Sequence, residues 1–364
     1  MASTFTTSYQ AAGVNTDQEV EALKRLVKHL RPTWPTQGMG RVALDIGYFA
    51  NVLDLGGIGL AITTDGVGTK VMIAQLMNTY NSIGIDCVAM NVNDLLCVGA
   101  TPISMVDYLA IETLNPDMIE ALGEGLAKGA AEANISISGG ETAQLRDIIT
   151  GPQPGQGFDL AGMAIGIVAL DKIIIGQHIE DGDVVIGIDS NGIHSNGLSL
   201  ARDAFLKKQQ KSLDEKYPEL NCSLGEELLK PTYIYVREVL DILNQGIPVK
   251  ALIHITSDGF LNLTRVKSKA SYVIDPLPPP PPIFSLIQKL GEVPPEEMFS
   301  VYNMGIGFCI VVPEHDTDRV CSIIKAYKKE ARRIGFAKID GRAEVEIPSE
   351  GLIGKGKKFW KKDR

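Results

Sequence analysis

The chain has 364 residues, 45% of them hydrophobic and 22% charged, with a formal net charge of −9. That length is enough for two domains that each bury a core, and the acidic balance argues against nucleic acid or an anionic membrane surface as a partner. No apolar run reaches the roughly 18 residues of a membrane span, and the opening MASTFTTSYQ has no leader-like apolar core.

In chain order, Leu60 to Thr64 reads as a short strand ending in the loop Asp65-Gly66-Val67-Gly68-Thr69-Lys70. The spacing predicts a helix over Ile83 to Gly99, with Ile85, Val88, Val92, Leu95, Leu96 and Gly99 on one face and Asp86, Asn93 and Asp94 opposite. Ile103 to Ala110 alternates as a strand that sets Asp107 on the face of Ile103 and Met105. Asn115-Pro116 supplies the N-cap and first turn of a helix reaching Ala133. A strand at Ile135 to Ser138 then runs into Gly139-Gly140-Glu141-Thr142, and a glycine-rich segment precedes a strand from Phe158 to Leu170.

A domain boundary is expected near Ile174, giving domains 1–174 and 175–347. The second domain opens with a strand, Val184 to Asp189, and a loop, Ser190 to Gly197, before a helix starting near Leu198. A helix at Thr232 to Asn244, strands at Lys250 to Thr256 and Ile306 to Val312, and a helix at Asp316 to Arg333 follow. The result is two domains of α/β type (α+β in arrangement). Pro278 to Pro282 form a polyproline connector into a helix from Phe284 to Leu290. From Lys355 to Arg364 six basic residues meet one acid, so residues 348–364 read as a solvated, partly disordered basic tail.

Several signatures are missing: there is no P-loop, no G-x-G-x-x-G and no protein-kinase set. The five histidines show no zinc spacing, and the five cysteines (Cys87, Cys97, Cys222, Cys309, Cys321) form no C-x-x-C pair and fit free thiols in a reducing, cytoplasmic compartment. What remains is a series of glycine-rich loops, each with an acid, amide or base. In the first, the glycines let backbone N–H groups approach an anion, Lys70 can neutralise phosphate charge, and Asp65 can hold Mg²⁺; an ordinary Asp-Gly turn fits the same residues. Asn93-Asp94 offers two hard oxygen groups, or simply the solvent side of a helix. Asp107, an acid in an apolar strand, needs a partner or a site. Glu141 can bind metal, act on a proton or cap the next helix. His194-Ser195-Asn196-Gly197 stands before a helix, where unpaired N–H groups attract phosphate and His194 can move a proton; a plain Ser/Asn cap is the simpler reading. Asn303-Met304-Gly305-Ile306-Gly307 reads as a turn entering a strand.

Order and spacing carry more than any one loop. D-G-V-G-T-K, N-V-N-D-L-L-C-V-G-A, V-D-Y, G-G-E-T-A, H-S-N-G-L-S-L, P-T-Y-I-Y-V, H-I-T and N-M-G-I-G-F closely resemble the aminoimidazole ribonucleotide synthetase (phosphoribosylformylglycinamidine cyclo-ligase) family, from about Ser8 to Gly341. The resemblance implies a two-domain ATP-dependent synthetase fold whose N-terminal domains pair their sheets in a homodimer, with sites in clefts between domains. It implies ATP-driven ring closure of formylglycinamidine ribonucleotide in purine synthesis, with Mg²⁺. Carried over residue by residue, Asp65 and Asp94 hold the metal. Gly66, Gly68, Thr69, Lys70 and Asn93 cradle ATP, with Gly140, Glu141 and Thr142 near its reactive end. Asp107, His194, Ser195 and Asn196 meet the substrate, and Lys70, Glu141 and His194 are the catalytic candidates. The chain departs from the family at Gln10-Ala11, at Gln144-Leu145-Arg146 and at His254-Ile255-Thr256-Ser257-Asp258-Gly259, where two glycines of H-x-T-G-G-G are Ser257 and Asp258. The alternatives are another superfamily member, such as a thiamine-monophosphate kinase, and a non-catalytic nucleotide-binding paralogue.

Overall fold

The computed structural model describes residues 8–362; the first seven residues, most of the opening segment MASTFTTSYQ, and the last two of the basic tail lie outside the described residues. Two N-terminal helices, α1 (Ser8–Ala11) and α2 (Thr16–Leu30), precede a six-stranded sheet. Its strands are β1 (Arg41–Val42), β2 (Asn51–Asp54), β3 (Ile58–Gly66), β4 (Thr101–Ile111), β5 (Ser136–Gln144) and β6 (Phe158–Ala169), in the order β1-β2-β3-β6-β4-β5. Among the described residues of this sheet only β4 and β5 run parallel, and the crossover between them is the helix α5 (Pro116–Ala133), capped as expected by Asn115, whose Oδ1 accepts from Met118 N at 3.2 Å. Helices α3 (Lys70–Met77) and α4 (Asn81–Leu96) complete the domain.

Helix α4 lies on the inner face of β3, β4 and β6, with α5 packed against it. A Cβ at Gly125 would sit 1.9 Å from the Asn81 carbonyl, so only glycine lets the two helices approach this closely. The expected polar side of α4 does not meet solvent. Asp86 and Asn93 are fully buried, and the second domain covers them. A second correction concerns β4: its register slips between Pro102 and Ser104, so Ile103 is 37% exposed while Met105 is buried on the inner face. The outer face of the sheet leaves Tyr108, Met163 and Ile167 largely exposed.

The second sheet has eight strands: β7 (Val184–Asp189), β8 (Ala251–His254), β9 (Ser271–Ile274), β10 (Ile306–Val312), β11 (Ala331–Lys338), β12 (Val345–Ile347), β13 (Leu352–Lys355) and β14 (Lys358–Lys361). Their order is β14-β13-β12-β9-β11-β7-β10-β8. Every residue of β8 and β10 is buried. Around the sheet lie α6 (Leu198–Arg202), α7 (Leu224–Leu228), α8 (Val236–Asn244), α9 (Pro282–Gly291), α10 (Pro295–Val301) and α11 (Thr317–Ala326). The helix expected over Asp316 to Arg333 stops at Ala326, and β11 takes over because its Ile334 and Ala337 are needed in the core between β7 and β9. The tail is also corrected. Residues 352–361 are a hairpin turned at Gly356, which has φ +64°, and Phe359 packs against Phe299 with ring centroids 6.3 Å apart. Among the described residues no helix is long and apolar enough to cross a membrane, and all five cysteines are free.

Candidate active site

Strand β3 delivers Asp65 to the seam between the domains. Its backbone is fixed by Asn91 of α4, which accepts from Asp65 N at 3.0 Å and donates to Asp65 O at 3.1 Å. The chain then turns at Gly68 and starts α3 at Lys70, while Thr69 Oγ1 lies 3.0 Å from Ser199 Oγ in the second domain. Asp94, the one partly exposed acid at the end of α4, has Oδ1 2.9 Å from Nδ1 of the buried His254. Burial, and then the charge of Asp94, push the Asp65 carboxyl up to about 6. Two hard oxygen donors whose repulsion a divalent cation relieves suit Mg²⁺. Among the described residues no group of three or more His, Cys, Asp or Glu is disposed to hold a metal, so phosphate oxygens and water must supply the rest of any such shell.

The loop before α6 reaches the same seam, where Ser195 O would lie 4.0 Å from a Cβ at Gly68. His194 is 2% exposed, its φ is +59°, and neither ring nitrogen has a hydrogen-bond partner among the described residues. Burial holds its imidazole well below the ordinary value, which leaves it neutral. Tyr233 and Tyr235 flank the ring, with centroids 6.3 and 6.5 Å away. The Asn303 to Gly307 segment does more than turn into a strand. Asn303 Nδ2 donates to Gly192 O at 3.0 Å and its Oδ1 accepts from Ser190 Oγ, fixing the loop that carries His194.

Other expected residues stand elsewhere. Lys70 is fully buried, with Nζ 2.7 Å from Asp86 Oδ2 and donating to Lys230 O, so its charge is spent inside the protein and not on a phosphate. Asp86 Oδ1 also accepts from Thr232 N and Oγ1, each at 2.7 Å, and Ser195 Oγ lies 3.1 Å from Thr232 Oγ1. Asn93 likewise ties the domains, donating to Tyr233 O at 2.8 Å and accepting from Tyr235 N at 3.0 Å. Its amide is fully buried and engaged on both polar atoms, so it serves the seam and not a nucleotide. Asn196 is partly exposed beside these groups.

Asp65, Gly162, Asp107 and Gly140 form one row across β3, β6, β4 and β5. A Cβ at Gly140 would meet Asp107 Oδ1 at 2.3 Å, so position 140 and the half-buried Asp107 share the inner face. Glu141 projects to the opposite face by strand alternation, away from Asp65 and Asp94. Gly140, Glu141 and Thr142 do not form a loop past the strand, because β5 continues through Gln144; all three are exposed on the sheet edge. Asp86 and Thr232 build the seam; the sequence shows Asp86 only as a polar residue on α4 and Thr232 only as part of P-T-Y-I-Y-V, with nothing to pair them.

The two α/β domains stitched along this seam correspond to the two domains of AIR synthase related proteins. The family descriptions "AIR synthase related protein, N-terminal domain" and "AIR synthase related protein, C-terminal domain" match residues 48–168 and 180–347. A phosphoribosylformylglycinamidine cyclo-ligase of Methanobrevibacter smithii is 46% identical over 320 residues, covering 88% of this chain and 91% of the relative. That of Methanocaldococcus jannaschii is 43% identical and covers 96% of both. The chain belongs to the phosphoribosylformylglycinamidine cyclo-ligase family. Solved structures similar to it include "AaThiL complexed with AMPPCP and TMP", at 16% identity, TM-score 0.59 and 86% and 91% coverage of this chain and that one. Hydrogenase maturation protein HypE in complex with ATP has 20% identity, TM-score 0.58 and coverages of 83% and 84%. At those identities the likeness is one of fold.

Proposed function

We propose that this chain closes the imidazole ring of aminoimidazole ribonucleotide, converting formylglycinamidine ribonucleotide and ATP to the imidazole, ADP and phosphate. Identity of 40–46% to proteins named for that reaction, across 88–96% of the chain, carries the reading. It outweighs the likeness to thiamine-monophosphate kinase and HypE, which stays near 20%. In that chemistry an amide oxygen, a poor leaving group, takes the γ-phosphoryl group of ATP; an internal amine attacks the activated carbon, and phosphate departs with the oxygen.

The seam fits what such a transfer needs, which is positioning and charge neutralisation. Asp65 and Asp94 would hold Mg²⁺, which supplies charge neutralisation on the phosphates. The Gly66 N–H is taken up by Asp65 Oδ1 at 2.8 Å, so the Gly68 backbone N–H and the Thr69 hydroxyl would line the approach of the nucleotide. His194, neutral and uncommitted at both nitrogens, is poised to take the proton of the attacking amine, with Ser195, Asn196 and Asp107 toward the ribotide. Lys70 supports the site from within the protein.

The proposal includes a cytoplasmic homodimer. Tyr108, Met163 and Ile167 on the outer sheet face are 44–45% exposed and form an apolar surface suited to a second copy. Ile167→Asp should then shift the mass in light scattering from dimer to monomer; a wild type already monomeric sinks the idea. The reaction is tested by following aminoimidazole ribonucleotide and ADP together in the presence of Mg²⁺. Matched formation is expected. ADP without the imidazole means another acceptor, and neither product despite ATP binding means a non-catalytic paralogue.

A further inference from the structure

The family match ends at residue 347, yet the chain continues into β13 and β14, and the turn of that hairpin reaches Asp258. At its turn Lys357 Nζ lies 2.8 and 2.7 Å from the two oxygens of Asp258. Asp258 also accepts from Arg265 Nη2 at 2.6 Å. This is its only hydrogen bond to the Arg265 guanidinium among the described residues, which leaves most of the five N–H donors of that group uncommitted. The guanidinium sits 5.0 Å over the Phe49 ring, and the Phe49 carbonyl accepts from Thr63, two residues before Asp65 on β3. Its charge is felt at Asp65.

Arg265 also lines a cavity of about 440 Å³ together with Lys267, Tyr48 and Ile175. The one acid on that wall, Asp45, is held by Arg31 at 2.6 Å. The cavity is therefore electropositive, and a guanidinium fork anchored at one corner matches a phosphate oxyanion. Asp258 alone would cancel the charge of Arg265. With Lys357 added, two cations share one carboxylate, and the trio keeps a net charge of +1 beside the cavity.

We propose that Arg265 binds a phosphate group of a substrate in this cavity, and that Lys357 is a positioning residue that acts on it through Asp258. This rests on the ring-closure reading, in which both ATP and the ribotide bring phosphate. The test uses the full-length protein and its Arg265→Ala, Arg265→Lys and Lys357→Ala variants, with KM measured for each substrate in turn. Arg265→Ala should raise the KM of one phosphate substrate by about tenfold or more. Arg265→Lys and added guanidinium should each restore part of it. Lys357→Ala should raise the same KM by a smaller factor. The substrate whose KM moves identifies the nucleotide or the ribotide as the source of the phosphate. Unchanged KM values for both substrates, whatever happens to thermal stability, would overturn the proposal and leave a structural latch. If the wild type makes no aminoimidazole ribonucleotide, inorganic phosphate and tripolyphosphate still decide. Thermal stabilisation by either anion that weakens in Arg265→Ala supports the site, and equal stabilisation of both proteins removes it.

Discussion

The ammonium of Lys70 and the carboxylate of Asp86 lie 2.7 Å apart with neither side chain exposed, one at the start of α3 and the other in the first half of α4. Asp86 extends the contact to Thr232 in the second domain, so the pair is a bolt through the seam. Burial pulls Lys70 down from its ordinary value, and Asp86 opposes the shift.

Breaking such a pair from one side leaves an uncompensated buried charge. Lys70→Ala should therefore cost about 3–5 kcal/mol of unfolding free energy in denaturant titrations. The double variant Lys70→Met, Asp86→Leu should recover only part, because the Thr232 N–H and hydroxyl lose their acceptor. A Lys70→Ala protein of wild-type stability with weakened ATP binding would return the residue to the phosphate role the resemblance implies.

Gly307 is where the structure can be used to move His194 without touching it. A Cβ there would lie 2.6 Å from His194 Cε1 and 2.1 Å from the Tyr235 hydroxyl, so Gly307→Ala must displace the imidazole. Misplacement of about 1 Å near the reacting groups costs about a hundredfold in kcat. Overpacking itself costs about 1–3 kcal/mol of stability. Stopped-flow turnover beside calorimetry separates the two, and an unaltered kcat would take His194 out of the reaction.

Asp258 gives a pH dependence of definite sign. Burial raises its carboxyl, but Arg265 and Lys357 outweigh burial and hold it below the ordinary carboxylate value. A group depressed in the folded state contributes stability above its unfolded pKa, near 4, and loses it as pH falls through the folded value. Asp258→Asn should thus lower stability at pH 7 by on the order of 1–3 kcal/mol and show a shallower decline toward pH 3. Denaturation midpoints across that range read the difference, and parallel curves for the two proteins would contradict it.

Local patterning made much of this legible. Alternation and capping located β4, β6, β7, β10 and α5 within a residue or two, since their core-facing periods and the Asn115 cap are local features. The polar side of α4 was legible as polar but not as interior. Its partners Thr232, Tyr233 and Tyr235 lie about 140 residues away, and only the folded chain brings them to Asp86 and Asn93. The carboxylate pair shows the same limit. Asp65 and Asp94 could be named as acids, whereas the contact of Asp94 with His254 depends on β8 arriving from the other domain. The 352–361 hairpin escaped notice because its basic residues look solvated, while the burial of Phe359 is set by the distant Phe299.

The contacts Lys70–Asp86–Thr232, Asn93 with residues 233 and 235, Thr69–Ser199 and Asp94–His254 span a single seam. Opening the halves like a jaw would strand several desolvated polar groups at once. The two halves should therefore melt as one cooperative unit, and the space between them is preset when the chain folds. Entry and exit of small molecules then fall to the rim segments, where a modest loop excursion suffices, and turnover proceeds with the central framework standing still.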